Sequence, residues 1–191
     1  MKTKQEIRTL CRQQRKELNA IQRDVMSKCI ANHYMQCVAQ EKPIVVHLFL
    51  PIEPLLEINT LLILKRLNTA YPKVKTVTSI IAEDQQTLLT VELRHDMPFI
   101  QNSWGIAEPE QRLFCDAKEI DEVLTPLLAV DQHGFRVGYG KGFYDRFFMQ
   151  CEPSIKKTGL NYFKPVSERL PNDDWDVPLT RLISPDGVLY F

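Results

Sequence analysis

The sequence predicts an α/β fold: a mostly parallel central sheet with helices on both faces, in a Rossmann-like three-layer arrangement. Three observations predict it. Segments of helical periodicity alternate with short apolar runs. Those runs are continuously apolar, as strands covered on both faces are, rather than alternating apolar with polar. A glycine-rich turn then leads from one such run straight into a helical pattern, at the carboxyl end of a strand, where open α/β sheets place their ligands.

Taken in order, residues 3–40 read as one helix, with Ile7, Leu10, Cys11, Leu18, Ile21, Val25, Cys29 and Ile30 recurring near a 3.6-residue period. Lys4, Arg8, Arg12 and Arg15 line its opposite flank, and Pro43 ends the pattern. Ile44–Leu50 is β-branched, continuous and bounded by prolines, so it reads as a buried strand. Residues 55–69 return to helical spacing. Lys75–Ala82 and Leu88–Leu93 read as the next strands, and residues 94–119 as loop-rich. Glu122–Val130 reads as one strand ending at Asp131. A helix over Phe143–Gln150, a strand over Lys157–Tyr162 and a short one near Thr180–Ile183 complete the chain. With no repeat or low-complexity stretch, the 191 residues read as a single domain, the 3–40 helix packing on it.

The chain carries 24 Lys+Arg and 24 Asp+Glu, a formal net charge of zero. This argues against a general nucleic-acid or membrane-surface binder, whose footprint is basic, yet leaves room for a local cationic pocket. The start has no apolar core of signal-peptide type, and Ile44–Leu50 is too short to span a bilayer. Five cysteines without a CxxC pair read as free thiols of a cytoplasmic protein. The four histidines are scattered without HxxxH or HExxH spacing, which argues against a histidine metal site or a Ser/His/Asp triad.

The most informative stretch is Asp131-Gln-His-Gly134-Phe-Arg136-Val-Gly138-Tyr139-Gly140-Lys141-Gly142-Phe143-Tyr144-Asp145-Arg146. Glycines at alternate positions let backbone approach a ligand, and unpaired N–H groups at a helix start favour an anion. Arg136, Lys141 and Arg146 add cationic donors suited to phosphate oxygens. Asp145 adds the hard carboxylate that Mg²⁺ prefers beside phosphates. A purely structural turn is the competing reading. The pattern is neither GxxxxGK[ST] nor GxGxxG, so a standard P-loop and a dinucleotide fold are disfavoured.

Weaker features accompany it. Lys4 and Arg8 share a helix face one turn apart. Glu57 follows the first strand at its carboxyl end, either as a ligand acceptor or as a helix-start acid. Trp104-Gly-Ile-Ala-Glu108-Pro109 offers an aromatic for stacking on a flat ligand, or a hydrophobic anchor. Asp173-Asp174-Trp175-Asp176 places acids ahead of a late strand, where solvated loop residues are common.

Together these residues resemble the 5-formyltetrahydrofolate cyclo-ligase (5,10-methenyltetrahydrofolate synthetase) family. The resemblance runs in order from Lys4xxxArg8 through Glu57, the Trp104–Pro109 stretch, Asp131xxGly134 and the Arg136–Arg146 loop to Gly159-Leu160 and Asp176. It implies an ATP-dependent cyclisation of 5-formyltetrahydrofolate to 5,10-methenyltetrahydrofolate, with ATP as co-substrate and Mg²⁺ as cofactor. On that resemblance Lys4, Arg8, Arg136, Gly138, Tyr139, Gly140, Lys141, Gly142, Phe143, Tyr144, Asp145 and Arg146 are expected to hold ATP. Lys141, Arg136 and Tyr144 are expected to carry the chemistry, and Asp145 with Asp176 the metal. Glu57 is expected to accept from the pterin N–H groups, with Trp104 or Tyr144 packing on the ring. A cytoplasmic monomer with small-molecule partners, and neither nucleic acid nor membrane, is the expected setting. Alternatives are a sugar-phosphate isomerase or deacylase using the loop for a substrate phosphate, and a silent nucleotide- or folate-binding module. The chain departs from the family pattern at Thr76-Val77-Thr78-Ser79, where a Leu-Pro-Arg run is frequent, at Pro165, where a glutamine is, and at Trp175, where a histidine often precedes the late aspartate.

Overall fold

The computed structural model describes residues 2–102 and 105–191. In chain order its elements are α1 (Lys4–Glu17), α2 (Ala20–Glu41), β1 (Val45–His47), α3 (Leu61–Ala70), β2 (Lys75–Ile81), β3 (Leu88–Glu92), β4 (Phe99–Gln101), β5 (Ala107–Pro109), β6 (Glu122–Pro126), β7 (Ala129–Val130), β8 (Arg136–Val137), α4 (Phe143–Phe148), β9 (Lys156–Leu160), β10 (Arg181–Ser184) and β11 (Gly187–Tyr190). Seven strands form the central sheet in the order β11-β10-β9-β6-β1-β2-β3. The five inner strands are parallel, and β3 and β11 are antiparallel additions at the two edges.

Helices cover both faces, as the continuous apolar strands require. The pleat of β1 divides its side chains between the two layers. Val46 and the following Leu48 join the cluster with Ile30, Tyr34, Ile63 and Leu67 of α2 and α3. Val45 instead packs with Val77, Val123, Phe147 and Phe148, under α4. α1 stands apart from the sheet and rests on the β7–β8 hairpin, with Ile7 and Cys11 against Leu128, Ala129 and Val137. All five cysteines are free. Among the described residues no helix is long and apolar enough to cross a membrane.

Several expected boundaries move. The single helix over 3–40 is two helices. Leu18 is extended, and Asn19 caps α2 in a capping box, its side chain accepting from the Gln22 N–H at 2.9 Å while Gln22 Oε1 accepts from the Asn19 N–H at 2.8 Å. The break rotates the second segment, so Ile21 and Val25, expected in the core, are largely exposed. The helix expected over 55–69 begins at Leu61: Glu53–Leu55 is a single 3₁₀ turn and Leu56 is left-handed with φ 51°, so Glu57 sits on a loop. The strand expected over 122–130 stops at Pro126, whose missing N–H cannot continue a ladder, and β7 turns away to pair β8. The loop-rich stretch holds the β4–β5 hairpin, and β11 is an additional edge strand.

The turn before the glycine-rich loop is fixed by Asp131. Its Oδ1 accepts from the N–H groups of His133 and Phe135, and its Oδ2 from that of Leu170. Gly134 lies in that turn at φ 81°, where a Cβ would meet the Leu179 carbonyl oxygen at 2.7 Å, so only glycine fits without displacing backbone.

Candidate active site

A cleft of about 780 Å³ opens at the carboxyl ends of β1, β2 and β6. Strand ends supply its floor, through Phe49, Leu50, Ser79, Ile81 and Pro126. The glycine-rich loop from Arg136 to Gly142 and the start of α4 form one wall. Lys4 and Arg8 of α1, Glu57, and Asp173, Trp175 and Asp176 close the others. Residues expected at one site from both ends of the chain therefore meet in one cavity.

The glycine-rich loop is held from both sides. The Arg8 Nε donates to the Gly138 carbonyl at 2.9 Å, and its guanidinium lies where a Cβ on Gly140 would be, 3.1 Å away. Gly140 also has φ 97°, a backbone conformation that favours glycine, and a Cβ there would crowd the end of the Arg8 side chain. On the far side Arg146 donates to the Gln86 carbonyl from Nε and Nη2, at 3.0 and 2.8 Å, and to the Lys141 carbonyl at 3.0 Å. Arg146 thus pins the loop to the β2–β3 turn. The α4 helix that follows is only six residues long and ends at Phe148, short of the expected Gln150. Its dipole is correspondingly small, so side-chain cations and loop amides carry most of the positive potential.

Arg136, also expected at the phosphates, is already paired. Its Nη2 lies 2.7 Å from Asp145 Oδ1, its Nη1 donates to the Val177 carbonyl, and its guanidinium lies over the Phe148 ring at 5.1 Å. The same Asp145 oxygen accepts from the Val177 N–H at 3.1 Å. Asp176, the other expected metal ligand, uses Oδ2 for Lys4 Nζ at 2.6 Å and for the Asp173 N–H at 2.8 Å. Burial pulls the Lys4 ammonium down, but hydrogen bonds and attraction from Asp173 and Asp176 outweigh it and hold its pKa above the usual lysine value. Among the described residues no group of three or more His, Cys, Asp or Glu gathers as a metal site. A magnesium ion needs fewer, one or two carboxylates completed by phosphate oxygens and water. The donor set fits it in kind, with Asp145 Oδ2 and Asp176 Oδ1 the oxygens not committed to these cations.

Glu57 also lines the cleft. It is buried, and its Oε2 accepts from the Ile52 N–H at 2.9 Å, which closes the loop around it. Burial raises its pKa above the usual glutamate value; the Ile52 N–H, the Tyr139 hydroxyl and Arg15 pull the other way. Tyr139 and Tyr144 are both pushed up, by burial first and by the Glu57 charge second, and so remain protonated donors. The Trp104 expected beside the substrate lies outside the described residues; its neighbours Ile106 and Ala107 line the cleft.

Three features go beyond the sequence reading. Arg15, placed on the solvated flank of the first helix, is buried instead and bonds Tyr139 and the carbonyls of Leu55 and Leu127. A signal was present: Lys4, Arg8 and Arg15 follow the four-then-seven spacing of one helix face, which also holds Cys11. Asp173 joins Asp176 on Lys4. His47, buried in β1, lies with Nε2 2.7 Å from the Ser79 hydroxyl at the cleft floor; a histidine inside an apolar run was its only mark.

The fold and the cleft define an α/β protein with a glycine-rich, cation-lined pocket at the carboxyl ends of its parallel strands. The chain belongs to the 5-formyltetrahydrofolate cyclo-ligase family, whose model matches residues 1–185. It is 31% identical over 184 residues to the 5-formyltetrahydrofolate cyclo-ligase of Haemophilus influenzae, covering 92% of this chain and 94% of that one. It is also 31% identical to the Escherichia coli 5-formyltetrahydrofolate cyclo-ligase, over 53% of this chain and 57% of that one. The structure of an Aquifex aeolicus 5,10-methenyltetrahydrofolate synthetase shares the fold, with a TM-score of 0.82 at 24% identity over 98% of this chain and 92% of that one. A Mycoplasma pneumoniae 5,10-methenyltetrahydrofolate synthetase does so with a TM-score of 0.77 at 21% identity, over 95% of this chain and 98% of that one.

Proposed function

We propose that the protein converts 5-formyltetrahydrofolate and ATP to 5,10-methenyltetrahydrofolate, ADP and phosphate. One observation carries the reading: a glycine-rich loop backed by Arg8, Lys141 and Arg146 and a buried carboxylate, Glu57, face the same cleft. A phosphate-rich ligand and a flat N–H-rich ring can then lie end to end. Family membership favours this over an isomerase or a silent module.

In this reading Lys4, Arg8, Lys141 and the loop amides of 138–142 bind the triphosphate, with Phe143, Tyr144 and Arg146 shaping the wall. The formyl oxygen attacks the γ-phosphorus, the bond to the β-phosphate oxygen breaks, and ADP leaves. N10 then attacks the resulting imidate carbon, its proton passes to the departing phosphate or to water, and phosphate leaves with the former formyl oxygen. Such a transfer needs alignment and charge neutralisation more than a protein nucleophile. Lys141 supplies that charge, Arg136, paired with Asp145, holds that carboxylate in place, and Tyr144 offers a protonated phenol beside the reacting groups. Glu57 accepts from the pterin N–H groups, which need a partner when taken out of water. Asp145 and Asp176 would hold Mg²⁺, which supplies further neutralisation of the phosphates. The protein is read as one domain acting as a cytoplasmic monomer.

The test mixes the protein with 5-formyltetrahydrofolate, ATP and Mg²⁺ and follows the methenyl chromophore together with ADP. Stoichiometric appearance of both is expected. Binding of both ligands without product would favour a silent module, and absence of ATP binding would overturn the reading.

A further inference from the structure

We propose that Arg15 is a positioning residue that ties the loop carrying Glu57 to the glycine-rich loop, by bonding the Leu55 carbonyl and the Tyr139 hydroxyl at once, so that the pterin side of the cleft is held in shape. The inference rests on the cyclo-ligase reading and deepens it.

Arg15 lies in α1 outside the cleft lining and is 3% exposed. Its guanidinium reaches three segments at once. Nη1 donates to the Tyr139 hydroxyl at 2.8 Å and to the Leu55 carbonyl at 3.3 Å, and Nη2 donates to the Leu127 carbonyl. Tyr139 belongs to the glycine-rich loop, Leu55 stands two residues before Glu57, and Leu127 follows β6. A buried guanidinium is costly to desolvate, and a leucine would pack α1 against the β7–β8 hairpin at lower cost. What a leucine cannot do is fix three separate backbone segments in one geometry, which the planar fork of an arginine does.

Two contacts of Arg15 lead toward Glu57. The Tyr139 hydroxyl accepts from Arg15 Nη1, and the same Nη1 reaches the Leu55 carbonyl, two residues before Glu57. Arg15 also lies 5.8 Å over the Tyr162 ring, and the Tyr162 hydroxyl donates to the Glu57 carbonyl at 3.0 Å. The groups facing Glu57 are therefore Arg15 from α1, Tyr139 from the glycine-rich loop, Tyr144 from α4 and Tyr162 from the segment after β9, beside the Ile52 N–H of its own loop. Arg15 supplies the positive charge in that set. Tyr139 and Arg15 both hold the Glu57 pKa down against its burial, so without either its proton is held to higher pH.

Tyr139→Phe removes one oxygen and keeps the ring; Arg15→Met keeps the stem and removes the charge. The experiment measures KM for 5-formyltetrahydrofolate and for ATP, and kcat, from pH 5 to 8, with calorimetric binding of 5-formyltetrahydrofolate alongside. For Tyr139→Phe, affinity for the folate is expected to fall about fivefold to tenfold while the ATP KM changes less than about twofold. The acid limb of kcat/KM for the folate is expected to move up by roughly half a pH unit. Arg15→Met should do the same more strongly, and the double variant should be no worse than Arg15→Met, because both act along one path. A side chain with only a packing role would lower Tm and leave the acid limb in place. An unchanged folate affinity and acid limb in Tyr139→Phe overturns the proposal, as does full additivity in the double variant. Should Arg15→Met fail to fold, Tyr139→Phe decides alone. Wild-type protein that turns over beside an unaffected Tyr139→Phe overturns only the role of Arg15. Wild-type protein that binds the folate without turnover overturns the cyclo-ligase reading, and the binding arm still decides on Arg15. Wild-type protein that binds no folate overturns both.

Discussion

Lys4 Nζ lies 2.6 Å from Asp176 Oδ2, a cation of the first helical turn paired with an acid 172 residues further along the chain. Asp173 adds a second contact at 2.5 Å. This clamp ties α1 to the loop before β10 across the mouth of the cleft, and it sets a competition, because the Lys4 ammonium already spends two of its three donors and much of its charge on these carboxylates. Asp173 is the more exposed partner, and such pairs contribute about 0.2–1 kcal/mol. Asp173→Asn is therefore expected to lower the ATP KM, by up to about fivefold. Lys4→Ala is expected to raise it about tenfold, the effect of losing one charged contact. Steady-state kinetics with ATP as the varied substrate checks both. A raised KM in Asp173→Asn would instead make that carboxylate part of nucleotide binding.

Lys141 stands between Gly140 and Gly142 on the exposed part of the loop, at the cleft. Lys141→Ala is expected to lower ATP-dependent turnover by more than tenfold, above about 1.4 kcal/mol in the barrier. Its melting temperature should match the wild type, since an exposed loop side chain adds little to folding. Unchanged turnover would remove Lys141 from the reaction.

How far the site was legible depends on which physical signal marked each residue. Strand β1 was legible because burial on both faces writes itself as a nearly continuous apolar run, and β2 because Thr76, Val77, Thr78, Ile80 and Ile81 are β-branched. The glycine-rich loop was legible because Gly134 occupies a position only glycine satisfies and Gly140 one that favours it, which puts local backbone geometry directly into composition. The break at Asn19 was masked: Asn19 and Gln22 form a good capping signature, but Leu18, Ile21 and Val25 continued the period across it. The burial of Arg15 was not legible for a different reason. Its acceptors are a phenol 124 residues away and carbonyls 40 and 112 residues away, and carbonyls have no sequence identity to read. Glu57 was placed correctly at a strand end, while its loop conformation depended on the left-handed Leu56, which no residue type announces.

Glu57→Gln keeps the shape of the acceptor and removes its charge. A hydrogen bond to a charged group contributes about 1.5–3 kcal/mol, so affinity for 5-formyltetrahydrofolate is expected to fall roughly tenfold to a hundredfold. The ATP KM should stay within about twofold, because the phosphates are assigned to Lys4, Arg8, Lys141 and the loop amides rather than to Glu57. Calorimetric titration with each ligand separates the two effects. A loss confined to ATP would rule out the pterin role.

His47 makes the last prediction, and its sign follows from burial. The ring is fully buried, centred 5.0 Å from Phe147 and 6.0 Å from Tyr144, with Nε2 bonded to Ser79. Burial pushes its pKa from 6.5 down to about 3. The folded protein therefore keeps His47 neutral while the unfolded chain takes up a proton below pH 6.5. Stability from this residue is complete above that pH and is lost progressively as pH falls toward 3, at up to about 1.4 kcal/mol per pH unit. His47→Gln retains a partner for Ser79 but does not titrate. It should be less stable than the wild type at pH 7.5, by about 1–3 kcal/mol, because a packed ring is lost. Its deficit should shrink as pH falls from 6.5 to 4.5, by roughly 1 kcal/mol per unit. Urea unfolding at four pH values across that range measures the difference directly. Glu57, whose pKa is raised by burial, works with the opposite sign as pH falls, but it is present in both proteins and cancels in the comparison. Parallel stability curves would show that the folded protein takes up a proton at His47 as readily as the unfolded chain, through an opening of the β1–α4 contact that admits water to the ring.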